Sequence, residues 1–171
     1  MGWLQRSRHG GLPGEVRAAL SLERGERVLA QGRDQAGGRV VATDRALYVL
    51  TGHGSRTRLA WESVGAAVWD EDTAMMDVRE SPPALARHQI ALSAPGFLPE
   101  VVRERVTTTI VVNQHVALHG GRGVRVVARR APGTDEIRWS LTLDPGLDPD
   151  DPQVRSAAHR ALADVRAQTG I

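Results

Sequence analysis

"GGRVVATDRALYVLTG", residues 37–52, decides the fold class. Two runs rich in Val, Leu and Tyr, Arg39–Thr43 and Ala46–Thr51, flank a corner at Asp44 and Arg45 and are bounded by glycines. Each run is too short for an ordinary helix. β-Branched and aromatic residues between turn signals point to paired strands, so the stretch reads as a hairpin. Reading outward, "RVLAQG" (27–32) precedes it as a strand and "TRLAW" (57–61) follows it as another. Residues 63–80 read as two strands around the polar turn Asp70-Glu71-Asp72-Thr73, and "HQIALS" (88–93) as one more. The adjacent prolines of "SPPALA" (81–86) mark a loop, because proline breaks both helix and sheet. "APGFLPE" (94–100) reads as a further turn.

The second half is patterned with period two. In "RERVTTTIVV" (103–112), Val106, Ile110 and Val112 share one parity, with Thr107 and Thr109 on the other. Val124, Val126 and Ala128 alternate with Arg125 and Arg129. Ile137, Trp139, Leu141 and Leu143 alternate with Arg138, Ser140 and Thr142. Such alternation marks half-buried antiparallel strands. The ends of the chain differ. Residues 1–11 read as a flexible tail, and residues 12–24 contain a short helix opened by Pro13 and closed by Gly25. Near the C-terminus, Asp151 suits an N-cap and Pro152 the first helical position. From there Val154, Ala158, Ala161, Leu162 and Val165 form one stripe of a helix over 152–168. About nine short strands followed by one amphipathic helix predict a mainly β domain over 12–171. Its expected form is an antiparallel sandwich or open barrel with a C-terminal capping helix.

Composition narrows the chemistry. A chain of 171 residues buries a sizeable core without staples. It has no cysteine, which excludes disulfides, thiol catalysis and Cys-based zinc sites. No apolar run approaches the roughly 18–20 residues that span a bilayer. The start "MGWLQRSRHGG" lacks the apolar core of a signal peptide, so a cytoplasmic location is expected. All 22 basic residues are arginine, yet the formal net charge is only +2. The charge is uneven: ten arginines face five acids over 1–60, but two face seven over 61–100. Residues 101–143 are basic again, and 144–171 acidic.

Three short motifs carry a resemblance. Gly25-Glu26-Arg27-Val28-Leu29 opens the first strand, Thr43-Asp44-Arg45-Ala46-Leu47 forms the corner, and Trp61-Glu62-Ser63-Val64 follows. Over roughly residues 22–80 the chain resembles bacterial PH-like and GRAM-like domains of actinobacterial type. The resemblance implies a seven-stranded bent sandwich closed by a helix, and a binding or assembly role rather than catalysis. Residues 71–100 depart from the pattern as an extension. The lysine-rich loop that binds inositides in eukaryotic members has no match, so peripheral membrane contact is not expected.

"HGGRGVRVVARR" (119–130) invites a phosphate-binding reading. A P-loop, however, needs a lysine for the terminal phosphates and a hydroxyl for magnesium. A dinucleotide fingerprint needs a helix after its glycines, and here a strand follows. The glycines instead supply positive φ for a hairpin turn. The outward parity of the last strands collects Arg105, Arg125, Arg129 and Arg138 beside threonine and serine hydroxyls. That face is either solvated or a partner-binding patch for a protein, for self-association or for nucleic acid. RNA recognition on a sheet wants exposed aromatics for stacking, and Trp139 points inward. His115 and His119 share strand parity but lack an evident third ligand, so no metal site is assigned. The acidic runs 69–72 and 144–151 lack calcium-loop register and read as turns and caps. With no nucleophile elbow and no cofactor fingerprint, no catalytic residue and no cofactor are assigned, and the chain is read as a non-enzyme.

Overall fold

A computed structural model describes residues 12–171, and the expected N-terminal tail lies outside the described residues. The chain runs α1 (Gly14–Leu20), β1 (Val28–Asp34), β2 (Arg39–Thr43), β3 (Ala46–Leu50) and β4 (Arg56–Ala60). A short 3₁₀ turn, Trp61–Ser63, leads to β5 (Val64–Asp70), β6 (Met75–Glu80) and β7 (Arg87–Ala94). Then come α2 (Leu98–Thr108), β8 (Ile110–His119), β9 (Arg122–Arg130), β10 (Ile137–Leu143) and α3 (Pro152–Thr169). The expected class holds: the protein is mainly β, antiparallel, with a C-terminal helix. The strands form a seven-stranded sheet ordered β4-β3-β2-β1-β7-β6-β5 and a three-stranded sheet ordered β10-β9-β8.

β1 links the two parts of the large sheet: it pairs with β2 along most of its length but meets β7 only at Arg33 and Asp34. Its two halves share one core. Val40, Leu47 and Leu59 enter from one side, Met76, Val78 and Ile90 from the other, and Leu98 and Val102 of α2 lie between. β2 is buried on both faces. Val40 and Ala42 join that core, while Val41 packs with Leu20 and Tyr48 in a second cluster beneath α1. Continuous burial on both faces explains why this strand reads as an unbroken apolar run.

The residues behind the family resemblance meet at one corner. Thr43 Oγ1 donates to Glu26 Oε1 at 2.5 Å and accepts from Ala46 N at 2.9 Å. Asp44 Oδ1 accepts from Arg27 N at 2.8 Å, and Trp61 Nε1 donates to the Thr43 carbonyl at 2.9 Å. Glu26 Oε2 also takes bonds from Glu23 N and the Tyr48 hydroxyl. These residues therefore pin β1, β2, β3 and the 3₁₀ turn together. Burial raises the Tyr48 pKa first of all, and a hydrogen bond from Arg58 partly offsets this.

The C-terminal helix forms where the sequence placed it. Asp151 accepts from Gln153 N at 2.7 Å, Pro152 opens the first turn, and Gly170 closes the last. Its stripe of Ala158, Ala161 and Val165 buries Val124 and Val126 of the small sheet. The helix thus covers the three-stranded sheet, and the large sheet has a helix of its own. That helix, α2, corrects the reading of 98–108 as part of a turn and a strand; the turn before it and the strand from Ile110 stand. Leu98, Val102 and Val106 recur every four residues and fill the large core, so helical periodicity prevails over the β propensity of Val and Thr. Thr107 and Thr108 fit a helix because their hydroxyls donate back to the carbonyls of Arg103 and Glu104.

Candidate functional site

The four arginines expected on one outward face separate in the structure. Arg125 and Arg138 are exposed on the outer face of the three-stranded sheet, beside Thr142 and Ser140. Arg125 Nη1 donates to Asn113 Oδ1 at 3.0 Å. Arg105 lies on α2, not on a strand, and pairs with Glu104. It leaves the face because 98–108 is helical. Arg129 has the expected strand parity but is only 4% exposed. The end of the outer face at which it sits is covered by α2 and by the start of β5. Arg129 Nη1 donates to the Val106 carbonyl and to Thr109 Oγ1, and Nη2 to the Gly65 carbonyl, each at 2.8 Å. Burial lowers its proton affinity from the ordinary arginine value. Arg129 is a bracket between the two sheets.

The turn that opens "HGGRGVRVVARR" is a two-residue hairpin. Gly120 and Gly121 have φ of 57° and 77°, and β8 pairs with β9 on either side. Two successive positive φ angles are the type I′ signature that joins strands of right-handed twist. The His115 imidazole donates to Asp144 Oδ2 at 2.8 Å, and Gly123 N donates to the same oxygen at 2.6 Å. The hydrogen bond from His115 is the leading cause that lowers the Asp144 pKa. The side chain of His119 lies outside the described residues. Among the described residues no three His, Cys, Asp or Glu groups lie close enough to hold a metal ion. Asp70 Oδ1 accepts from Asp72 N and Thr73 N, so "WDED" closes the β5–β6 turn.

An apolar concavity lies elsewhere, between β5 and the first turns of α2. It is a groove of about 350 Å³ lined by Ala67, Val68, Trp69, Met76, Pro99 and Val102, with Glu100 and Arg103 at its rim. Met76 and Val102 are buried and form the floor, and Val68 is 57% exposed at the lip. Among the described residues β5 is the last strand of the large sheet and has a strand partner, β6, on one side only. Beyond Gly65, whose carbonyl is taken by Arg129, its other side carries main-chain N–H and C=O groups that an added strand can satisfy. No family model matches the chain, and no curated protein matches it in sequence.

Sequence reasoning missed this groove because one of its walls, α2, was read as turn and strand. The signal was present. Pro99 in the first turn and the spacing Leu98, Val102, Val106 are helix markers.

Proposed function

We propose that this chain is a non-catalytic PH-like binding module that captures an extended segment of a partner protein as an added strand along β5, against α2. The observation that carries the reading is the juxtaposition of a free sheet edge with an apolar groove walled by a helix. Strand addition takes affinity from main-chain hydrogen bonds and specificity from pockets for alternate side chains. The groove offers the ligand both. Seven antiparallel strands followed by a helix packed into their shared core also agree with what the PH-like resemblance implies. The charges at the rim, Glu100 and Arg103, are of opposite sign, which suits a ligand of mixed charge rather than a polyanion.

The arginine face gives less support to nucleic acid. Only Arg125 and Arg138 of the four remain exposed on it, and Trp139 faces α3 with the Arg166 guanidinium 5.1 Å from its ring centre. Single-stranded nucleic acid is held by stacking on exposed aromatics as well as by cations. A peptide-display library selected on the full chain tests the proposal. Selection is expected to enrich proline-free sequences with alternating apolar residues. Val68→Glu should weaken their binding about tenfold or more, a loss of about 1.4 kcal/mol. Arg125→Gln should leave it unchanged. Peptides that bind the Val68→Glu chain as tightly as the wild type would overturn the groove. Salt-sensitive binding lost only in Arg125→Gln would favour the arginine face.

A further inference from the structure

We infer that β8 is a self-association edge, through which two copies of this chain join their three-stranded sheets into one continuous six-stranded sheet. This goes beyond the peptide-binding reading, since it uses the other sheet. Among the described residues β8 ends that sheet and pairs only with β9. It is the longest strand among the described residues, Ile110–His119, and its sequence "IVVNQHVALH" holds no Asp, Glu, Lys, Arg, Pro or Gly. Edge strands are ordinarily protected against pairing by charges, prolines or shortness. Two other edges among the described residues follow that rule: β4 carries Arg56 and Arg58, and β10 carries Arg138. β8 lacks all of these protections, and Val111, Asn113, Gln114, His115 and Ala117 along it are exposed.

The strand is also complementary to itself. Antiparallel pairing about a two-fold axis at Gln114 sets Gln114 opposite its own copy. Val112 then faces Val116, Asn113 faces His115, and Val111 faces Ala117. Val112 and Val116 are half-buried on the face covered by α3, so the apolar pairs would extend that core across the axis. Asn113 and His115 share the outer face and already hydrogen-bond across β9, to Arg125 and Asp144, so this pair sets no charge against its copy. A primary amide both donates and accepts, so Gln114 can pair with an identical residue. No like charges meet in any antiparallel self-register of this strand. The register with β9 shifts only near the two ends of β8, between Ile110 and Val112 and between Ala117 and His119. The central segment is therefore regular, and the irregular ends favour a closed pair over slippage. An axis normal to the sheet keeps both α3 helices on one face, where each continues to cover its own strands. Pairing of β8 with its copy consumes the edge in both molecules, which closes the assembly at two.

Sedimentation of the full chain over a concentration series tests this. The expected mass rises from that of one chain, 18.5 kDa, to a plateau at twice that value. The rise should not depend on salt, because no charge pair drives it. Gln114→Lys places two ammonium groups against each other and should hold the chain at single mass, with the melt of the dilute wild type. The chain has no cysteine, so Gln114→Cys gives an independent readout that survives a folding failure of the lysine variant. On oxidation it should form a disulfide-linked pair at least about tenfold faster than Thr142→Cys, whose position on β10 is exposed but off the axis. Single mass at every concentration, growth past two chains, or equal cross-linking at both positions would each overturn the inference.

Discussion

Arg129 on β9 donates through Nη2 to the Gly65 carbonyl at the start of β5, 2.8 Å away, and through Nη1 to the Val106 carbonyl at the end of α2. One buried guanidinium thereby joins the small sheet to both the large sheet and its helix. Removing it leaves two carbonyls without their donor and opens the junction. Arg129→Met should therefore destabilise the chain by about 2–4 kcal/mol. Lysine offers one point charge instead of a planar fork, so Arg129→Lys should recover only part of the loss. Urea melts of the three chains check this. Equal midpoints would remove Arg129 as the bracket.

The exposed pair behaves differently. Arg125 and Arg138 stand on the outer face and make at most an exposed contact. Changing both to Gln should move stability by no more than about 0.5 kcal/mol. Including Arg129→Gln in the same chain should unfold it at a markedly lower denaturant concentration. A thermal melt of the double and triple variants separates the two roles.

That contrast shows what a sequence of this kind discloses. Strand parity assigned Arg125 and Arg129 to the same face, and the structure agrees. Parity does not say which part of a face another element covers, and only the docking of α2 buries Arg129. Local signals were legible wherever chemistry fixes the backbone: the double glycine at 120–121, the Asp151-Pro152 cap, and the Thr43-Asp44 corner. Residues 98–108 were misread because Val and Thr satisfy a period-two pattern from Val106 onward, while the helical spacing from Leu98 to Val106 lies mostly upstream. The β5–α2 groove depended on that helix and was lost with it.

Glu26 is the hub of the β2–β3 corner and is 7% exposed. It accepts from Thr43, Tyr48 and Glu23. Glu26→Ala removes the acceptor that the Thr43 and Tyr48 hydroxyls share, though each keeps another partner, and should cost about 1–3 kcal/mol. Tyr48 is the chain's one tyrosine, so its ionisation can be followed by absorbance alone. Burial raises its pKa above the ordinary value of 10.0. A raised value means that the folded state holds the proton more tightly than the unfolded one. The associated stability is present below pH 10.0 and declines as pH rises through the folded value. A tyrosinate transition at the ordinary value in the native protein would contradict the hydrogen-bonded burial described for this corner.

Asp77 gives the opposite dependence. Hydrogen bonds from Arg87 and then Arg79 lower its pKa from 3.8 to about 2. The folded state therefore favours the carboxylate. Its contribution is complete above 3.8 and fades as pH falls toward about 2. Asp77→Asn should flatten the acid limb of the stability curve in that window and leave its slope at neutral pH unchanged. Acid titrations of the two chains, followed by circular dichroism, should diverge only there. Coincident acid limbs would show that the Arg79–Asp77–Arg87 cluster contributes nothing in solution.

Gly123 is required by close approach rather than by its φ angle. A Cβ at this position would lie 2.2 Å from the Val116 carbonyl and 2.8 Å from the His115 ring. The first neighbour is backbone on the paired strand and cannot move without disturbing the β8–β9 ladder. The second is the imidazole that crosses over β9 to reach Asp144. Gly123→Ala should therefore force the strands apart and displace the ring, at a cost of about 1–3 kcal/mol. Asp144 would lose the hydrogen bond from His115 that chiefly lowers its pKa, together with the bond from Gly123 N, so its carboxyl should titrate closer to the ordinary value. His115→Ala removes the ring but keeps the glycine, and should raise the Asp144 pKa with a smaller loss of stability. Carboxyl NMR titrations and thermal melts of both variants distinguish a strained backbone from a lost side-chain bond. An alanine at 123 that leaves the melt and the Asp144 titration unchanged would mean that the strands tolerate the methyl group and that the contact is not a constraint.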